Sequence, residues 1–337
     1  MIQKKEKEVD KMKRILTGLQ PSGELTLGSL IGGISQSIKY QDEYDSFIFV
    51  PDMHAITVDQ DPKKLKMRIR KNVALYIACG IDPNKNTIYV QSDNLYHANL
   101  SWILECNTYI GEASRMTQFK EKSQKKENVS VGLFTYPILM AADILLYGPD
   151  FVPTGVDQKQ HVELARDIAI RFNNKYGDTF KVPEPMIAKV GAKIMDLADP
   201  TKKMSKSEEN SKGIIFLLDP DEVIRKKIMS AVTDSDATIK YDPDNKPGVS
   251  NLLTIYSCLT NVSIDEAVNH FAGYGYGDFK KEIADTVINY LAPIKAKYEE
   301  LINSNIIDEI LEKGRLKALE IAKNKYEEVK TKVGLGV

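Results

Sequence analysis

The 337-residue chain lacks any run of about 18 apolar residues, so no membrane-crossing helix is expected. Its N-terminus, Met1-Ile2-Gln3-Lys4-Lys5-Glu6-Lys7-Glu8, has no apolar core of the kind a secretory signal needs, which predicts a cytoplasmic protein. Cysteine is scarce. Cys79, Cys106 and Cys258 are far apart and odd in number, which fits reduced, mostly packed thiols. The four histidines are His54, His97, His161 and His270, and no Cys-x-x-Cys or His-x-x-x-His spacing occurs, so no structural metal is expected. His161 reads as packed at a sheet edge and His270 as a helix-surface residue. Charge of one sign is not in excess: 46 basic against 47 acidic residues leave a net charge of −1. No global positive field marks a nucleic-acid binder, although a local basic patch stays compatible with that balance. Neither G-x-G-x-x-G nor G-x-x-x-x-G-K-[ST] is found, which disfavours a dinucleotide enzyme and a P-loop ATPase. Internal repeats and low-complexity segments are also missing.

What remains is ordinary globular material, 42% hydrophobic and 28% charged. Residues 1–13 are rich in lysine and glutamate, have no core face and read as a charged extension. From Arg14 the pattern alternates. A strand over 14–18 enters the loop Leu19-Gln20-Pro21-Ser22-Gly23-Glu24-Leu25-Thr26-Leu27-Gly28-Ser29. A helix follows with Leu30, Ile31, Ile34 and Ile38 on one face, then a strand over 47–51, a helix over roughly 62–79, a strand over 87–91, a helical region over 97–127 and a strand over 151–155. Continuous apolar strands alternating with helices predict α/β architecture: a doubly wound, Rossmann-like parallel sheet covered on both faces. Segments near 219–231, 263–271, 279–302 and 306–331 have amphipathic spacing and predict a smaller C-terminal helical domain.

Three stretches carry chemistry. Asp199-Pro200-Thr201-Lys202-Lys203-Met204-Ser205-Lys206-Ser207 sets lysines and hydroxyls beside a turn, with little to bury but Met204. Taken alone it reads first as a solvated surface loop, although it also offers the cations and hydroxyl donors together that a polyphosphate needs. The first strand–loop–helix junction has Gly18, Gly23 and Gly28, which let backbone approach a base or phosphate, and a helix N-terminus that favours anions. Tyr136-Pro137-Ile138-Leu139-Met140-Ala141-Ala142-Asp143-Ile144-Leu145-Leu146-Tyr147 is an apolar helix interrupted by one carboxylate. Tyr136, Met140, Asp143 and Tyr147 share a face. A buried Asp143 requires a donor, supplied either by the protein or by a ligand N–H or O–H.

Together the Gln20-Pro21-Ser22-Gly23 and Leu27-Gly28 junction and the Lys203-Met204-Ser205-Lys206-Ser207 loop resemble the two signature motifs of the class I aminoacyl-tRNA synthetases. Asp52-Met53-His54-Ala55-Ile56-Thr57, the Met140–Tyr147 segment, Gly155-Val156-Asp157-Gln158-Lys159-Gln160-His161 and Ala231-Val232-Thr233-Asp234-Ser235 narrow the resemblance to the bacterial-type tryptophanyl-tRNA synthetases, from about Arg14 onward.

The resemblance implies ATP-dependent activation of L-tryptophan to an adenylate and transfer to tRNA(Trp), with Mg²⁺ accompanying ATP and no structural metal. Gln20, Pro21, Ser22, Gly28, Ser29, Gly155, Val156, Asp157, Ile194, Lys203, Met204, Ser205, Lys206 and Ser207 would hold ATP. Lys203, Lys206 and Lys122 would stabilise the departing pyrophosphate. Asp143 would accept the indole N–H, with His54, Tyr136 and Met140 as pocket neighbours. The implied organisation is a 1–13 extension, a catalytic domain over 14–208 with a helical dimerisation insert around 97–147, and a helical tRNA-binding domain over 209–337. The partners implied are tRNA(Trp), tryptophan, ATP and a second copy of the chain, with no membrane. Leu16, Ser29 and Val156 depart from residues common among relatives, and both histidines of the general class I pattern are missing near Gly28. Two alternatives stand beside this: a tyrosyl-tRNA synthetase, and a non-catalytic paralogue that binds tryptophan or RNA.

Overall fold

The computed structural model describes residues 12–19, 23–123, 128–155, 158–187, 193–204 and 212–336, the side chains of 121–123 excepted. Five strands form one parallel sheet: β1 (Arg14–Gly18), β2 (Asp45–Val50), β3 (Asn86–Val90), β4 (Phe151–Thr154) and β5 (Glu184–Ile187), in the spatial order β3-β2-β1-β4-β5. The doubly wound sheet expected from the sequence is therefore present. In β2 the side chains divide by alternation: Phe47 and Phe49 enter one core cluster, Ile48 and Val50 the other. Both faces are covered, which is why the strand reads as a continuous apolar run.

Between β1 and β4 the chain order reverses, so the open crevice lies at the carboxyl ends of these central strands. Leu19 leaves the end of β1 and Gly155 the end of β4. The Pro62–Ala78 helix after β2 starts where the sequence indicates. Pro62 holds its first position and Asp61 caps it, accepting from the N–H of Lys63 at 2.9 Å and of Lys64 at 3.1 Å.

Four local features differ from the sequence reading. The helical region over 97–127 is divided into Tyr96–Glu105, Ile110–Ala113 and Thr117–Ser123. Asn107 and Thr108 break it: their side chains donate to the carbonyls of Ile103 and Leu104, both at 2.8 Å, competing with the helix ladder. The first helix passes through a π-helical turn, Leu30–Ile34, between Leu27–Ser29 and Ser35–Tyr40. β5 carries Pro185, an unpromising strand residue that an edge position tolerates. A further helix, Pro247–Thr260, joins Asp221–Met229, Ile264–His270 and Tyr276–Ile302 in the helical layer.

That layer shares one continuous core with a face of the sheet, running from Leu27, Ile48 and Ile88 through Ile194, Met204 and Ile215 to Leu252, Phe279 and Ile307. The last helix, Ile306–Lys332, then passes across the outer edge of β3. Ile307 belongs to this core, whereas Ala318, Ala322 and Val329 lie in the core on the opposite face. Gly314 makes the crossing possible, because a β-carbon there would stand 1.8 Å from the Ile88 carbonyl oxygen. The exposed backbone of the edge strand is thereby covered.

Candidate active site

Asp143 is wholly buried in the Val131–Leu145 helix, and three side chains donate to it. Oδ2 accepts from His54 Nε2 at 2.8 Å; Oδ1 accepts from His97 Nδ1 and from Gln91 Nε2, each at 2.7 Å. His54 comes from the short helix after β2, Gln91 from the turn after β3, and His97 from the Tyr96–Glu105 helix. The carboxylate thus joins four separate elements at the strand ends. Burial by itself would raise the Asp143 carboxyl, but the hydrogen bonds from His54 and His97 outweigh it and hold the carboxyl down at about 2. It is an acceptor only, at any ordinary pH.

The wall around it is aromatic. The His54 and Tyr136 rings meet edge-on with centroids 6.1 Å apart, and Met140 is half-buried on the same helix face as Asp143. Tyr136 hydroxyl lies 3.0 Å from His161 Nε2, and burial pushes its phenol up to about 12. The structure therefore brings Asp143, His54, Tyr136 and Met140 together, as the sequence indicates. His161 is buried on the Lys159–Tyr176 helix and meets the pocket through this contact with Tyr136.

A second group gathers beside β1. Leu27, Gly28 and Ser29 begin the first helix, and Thr26 caps it, accepting the Ser29 N–H at 3.1 Å. The Leu27 N–H is already given to the Ile215 carbonyl at 2.9 Å. Two of the expected anion-binding N–H groups at this helix start are thus occupied. Gly28 instead provides closeness: its missing side chain would contact Met204 and Ile194. Ile194 to Met204 forms a hairpin in which Met204 N–H donates to the Ile194 carbonyl and Asp196 N–H to the Lys202 carbonyl, both at 2.9 Å. Met204 is buried and Lys203 is exposed, so the stem inserts its methionine and presents its lysine.

This hairpin is tied to the helical layer by Asn251, which accepts from Met195 N–H at 2.8 Å and donates to the Met195 carbonyl at 2.9 Å. Beyond the lysine loop the chain returns to the first junction, where Leu217 N–H donates to the Leu25 carbonyl at 2.9 Å and Thr26 pairs with Phe216. Gly28, Ser29, Ile194, Lys203 and Met204 are thus assembled at one place. Gly155 follows the end of β4, whose Phe151 is in register with Ile15 of β1. Gln20, Pro21, Ser22, Val156, Asp157, Ser205, Lys206 and Ser207 lie outside the described residues, as does the Lys122 side chain. The Thr117–Ser123 helix that carries Lys122 is docked beside the pocket. Phe119 packs on Phe134 with ring centroids 5.1 Å apart, and the Tyr136 hydroxyl donates to Gln118 Oε1 at 3.3 Å.

Sequence reasoning missed Gln91 and His97. Gln91 sits one residue past a buried strand, the place where α/β sheets bind ligands, and that rule would have found it. His97 lies in the polar stretch Asn94-Leu95-Tyr96-His97-Ala98-Asn99, where no pattern distinguishes it. The thiols are less packed than the sequence suggests: Cys79 is partly covered, and burial pushes it up to about 12, whereas Cys106 and Cys258 are exposed.

Comparison with known proteins gives consistent matches. Residues 8–292 match the family described as tRNA synthetases class I (W and Y). The tryptophan–tRNA ligase of Caldanaerobacter subterraneus subsp. tengcongensis is 53% identical over 324 residues, 96% of this chain and 99% of that protein. Among solved structures, the tryptophanyl-tRNA synthetase of Mycoplasma pneumoniae superposes with a TM-score of 0.85 at 39% identity, covering 96% of this chain and 98% of its own. That of Campylobacter jejuni, complexed with ADP and tryptophan, gives 0.85 at 37% identity, covering 96% and 100%.

Proposed function

The chain belongs to the class I tRNA synthetases (W and Y), and on that premise we propose how its residues divide the work. It is an aminoacyl-tRNA synthetase acting as a tryptophan–tRNA ligase. In the first step a tryptophan carboxylate oxygen attacks the α-phosphorus of ATP and pyrophosphate leaves. In the second, a ribose hydroxyl at the tRNA 3′ end attacks the acyl carbon and AMP leaves. Neither step needs a protein nucleophile. Both need alignment and a place for negative charge.

The indole enters between His54, Tyr136 and Met140, and its N–H donates to Asp143. The single observation that carries this reading is that carboxylate: buried, ionised, and held by side chains from three other elements. A ring without an N–H leaves it short of a donor, and rejection on that basis reaches about 10⁴–10⁵-fold. The tyrosine alternative loses its ground against relatives of this identity that act on tryptophan.

ATP lies over Gly28, Ser29 and Ile194, with Gly155, Val156 and Asp157 on its ribose side and Gln20, Pro21 and Ser22 in the loop after β1. Lys203, Lys206 and Lys122 neutralise the departing pyrophosphate, aided by Ser205 and Ser207, while Mg²⁺ arrives on the phosphates as part of the substrate. The helical layer from 209 onward receives tRNA(Trp). A homodimer is supported by Trp102, Tyr109, Ile110 and Val131, each at least 65% exposed on the helices of the 97–147 region; sedimentation of an Ile110→Asp variant as a monomer checks it. No helix among the described residues is long and apolar enough to cross a membrane, and we place the enzyme in the cytosol with its tRNA.

The deciding experiment is ATP–pyrophosphate exchange with each of the twenty amino acids in turn. Exchange with tryptophan alone is expected. Exchange with tyrosine would replace the reading, and none with any amino acid would leave the non-catalytic paralogue.

A further inference from the structure

The two oxygens of Asp143 are not equivalent. Oδ1 takes both Gln91 and His97, whose side chains are closed to solvent; Oδ2 takes His54 alone among the described residues. An ionised carboxylate offers about two lone-pair positions per oxygen, so Oδ1 is filled and Oδ2 keeps one. His54 is also the open side of the network, its side chain 14% exposed where that of Asp143 is 0%. Spare capacity and access coincide on Oδ2.

His97 is itself locked in one proton arrangement. Its Nδ1 must donate, because the carboxylate only accepts. Its Nε2 lies 2.9 Å from the Tyr147 hydroxyl, and that oxygen in turn accepts from Asn94 Nδ2 at 3.0 Å. The consistent assignment is a directed chain, with Asn94 donating to Tyr147, Tyr147 to His97 and His97 to Asp143. Phe49 and Tyr89 lie beside the imidazole with centroids 6.2 and 6.1 Å away, and the hydrogen bonds at both of its nitrogens hold the ring. Gln91 is oriented by a separate bond, its Oε1 accepting the Met53 N–H at 3.2 Å.

We propose that His97 is a positioning residue for substrate choice: it fixes Oδ1 of Asp143 and thereby leaves Oδ2 facing the pocket as the acceptor for the ring N–H. This rests on the tryptophan reading above. With the His97 donor gone, Oδ1 is held by Gln91 alone and Oδ2 by His54 alone, so Oδ1 is no longer filled, the carboxylate is less firmly fixed about its Cβ–Cγ bond, and the penalty against rings without an N–H declines.

The test compares pyrophosphate exchange with tryptophan and with 3-benzothienylalanine, which has sulfur in place of the N–H. His97→Phe keeps a ring and removes both polar atoms; His97→Asn keeps a donor near the position of Nδ1. The expected result for His97→Phe is that the ratio of kcat/KM for tryptophan over the analogue falls about 10- to 100-fold, the range of a charge-assisted hydrogen bond. The ATP KM should stay within about twofold, and His97→Asn should recover most of the ratio. A parallel fall for both amino acids, with the ratio unmoved, would show a merely structural role and overturn the proposal. Should His97→Phe fail to fold, His97→Leu removes the same donor with a smaller apolar side chain, and an unmoved ratio there overturns the proposal equally. Wild-type protein without tryptophan exchange would instead sink the underlying functional reading, an outcome visible before any variant is made.

Discussion

A β-carbon on Gly28 would lie 3.2 Å from the Met204 carbonyl oxygen and 3.3 Å from its β-carbon, so the first helix and the stem of the lysine loop meet with nothing between them. The neighbour in that contact is backbone, which yields less readily than a side-chain tip. Gly28→Ala should push the stem outward by a few tenths of an ångström and displace Lys203 from the triphosphate. The expected outcome is a several-fold rise in the ATP KM, on the order of 5- to 10-fold, with tryptophan binding unaffected. Initial-rate pyrophosphate exchange at varied ATP measures it, and an unchanged ATP KM would mean that the close approach serves packing alone.

Asn251 substitutes for a strand partner at Met195 by satisfying both its backbone groups. Asn251→Ala leaves those half-buried groups without their side-chain partner, at a cost of about 1 kcal/mol. The hairpin that presents Lys203 should then loosen, lowering the exchange kcat about tenfold or more while the tryptophan Kd stays put. Equilibrium tryptophan binding and exchange rates on the same preparation separate the two, and equal losses in both would count against the assignment.

Asp143 yields a paired prediction. Asp143→Ala should cut kcat/KM for tryptophan by about 10³-fold or more with little change in the ATP KM. Its pH signature follows from the carboxyl held at about 2 when folded, against about 3.9 in an unfolded chain. A carboxyl depressed by folding contributes stability that is complete above the unfolded value and is lost as pH falls through the folded one. Asp143→Asn should therefore lower stability by an amount on the order of 2 kcal/mol that is constant from about pH 5 to 8 and shrinks between about pH 4 and 2. Thermal melts of both proteins across that series check it; a gap that widens in acid would contradict the sign.

Gly314 reverses an ordinary rule. On an exposed helix, glycine to alanine gains about 1 kcal/mol. Here the added methyl would enter the Ile88 backbone, so Gly314→Ala should destabilise by about 3 kcal/mol or more. The urea midpoint is the readout, and a midpoint at or above that of the wild type would refute the crossing.

The layout of the sheet was legible because β2 and β3 are buried on both faces and read as unbroken apolar runs. Pro185 hid β5, and Pro247-Gly248 hid the helix they begin. At the site, Asp143 could be read because a lone carboxylate on an apolar helix contradicts its surroundings. Met204 could be read as the one anchor in a polar loop. His97 could not, since a buried histidine among polar neighbours differs from an exposed one only in what the fold brings to it. Asn251 was equally hidden: its role is to pair with backbone, and backbone leaves no mark in a sequence.

The crossing of the last helix over β3 has a consequence for synthesis. Ile88 leaves the ribosome roughly 240 residues before Val329, an interval of about 10–50 s at ordinary elongation rates. During that time the outer edge of β3 has no cover of its own, and an uncovered strand edge is a template for pairing with another chain. The nascent protein therefore reaches its guarded state only once the Ile306–Lys332 helix has emerged, and truncations just after residue 305 would release a chain whose sheet is complete but sticky. Aggregation during expression, more than lost activity, is the phenotype such truncations should show.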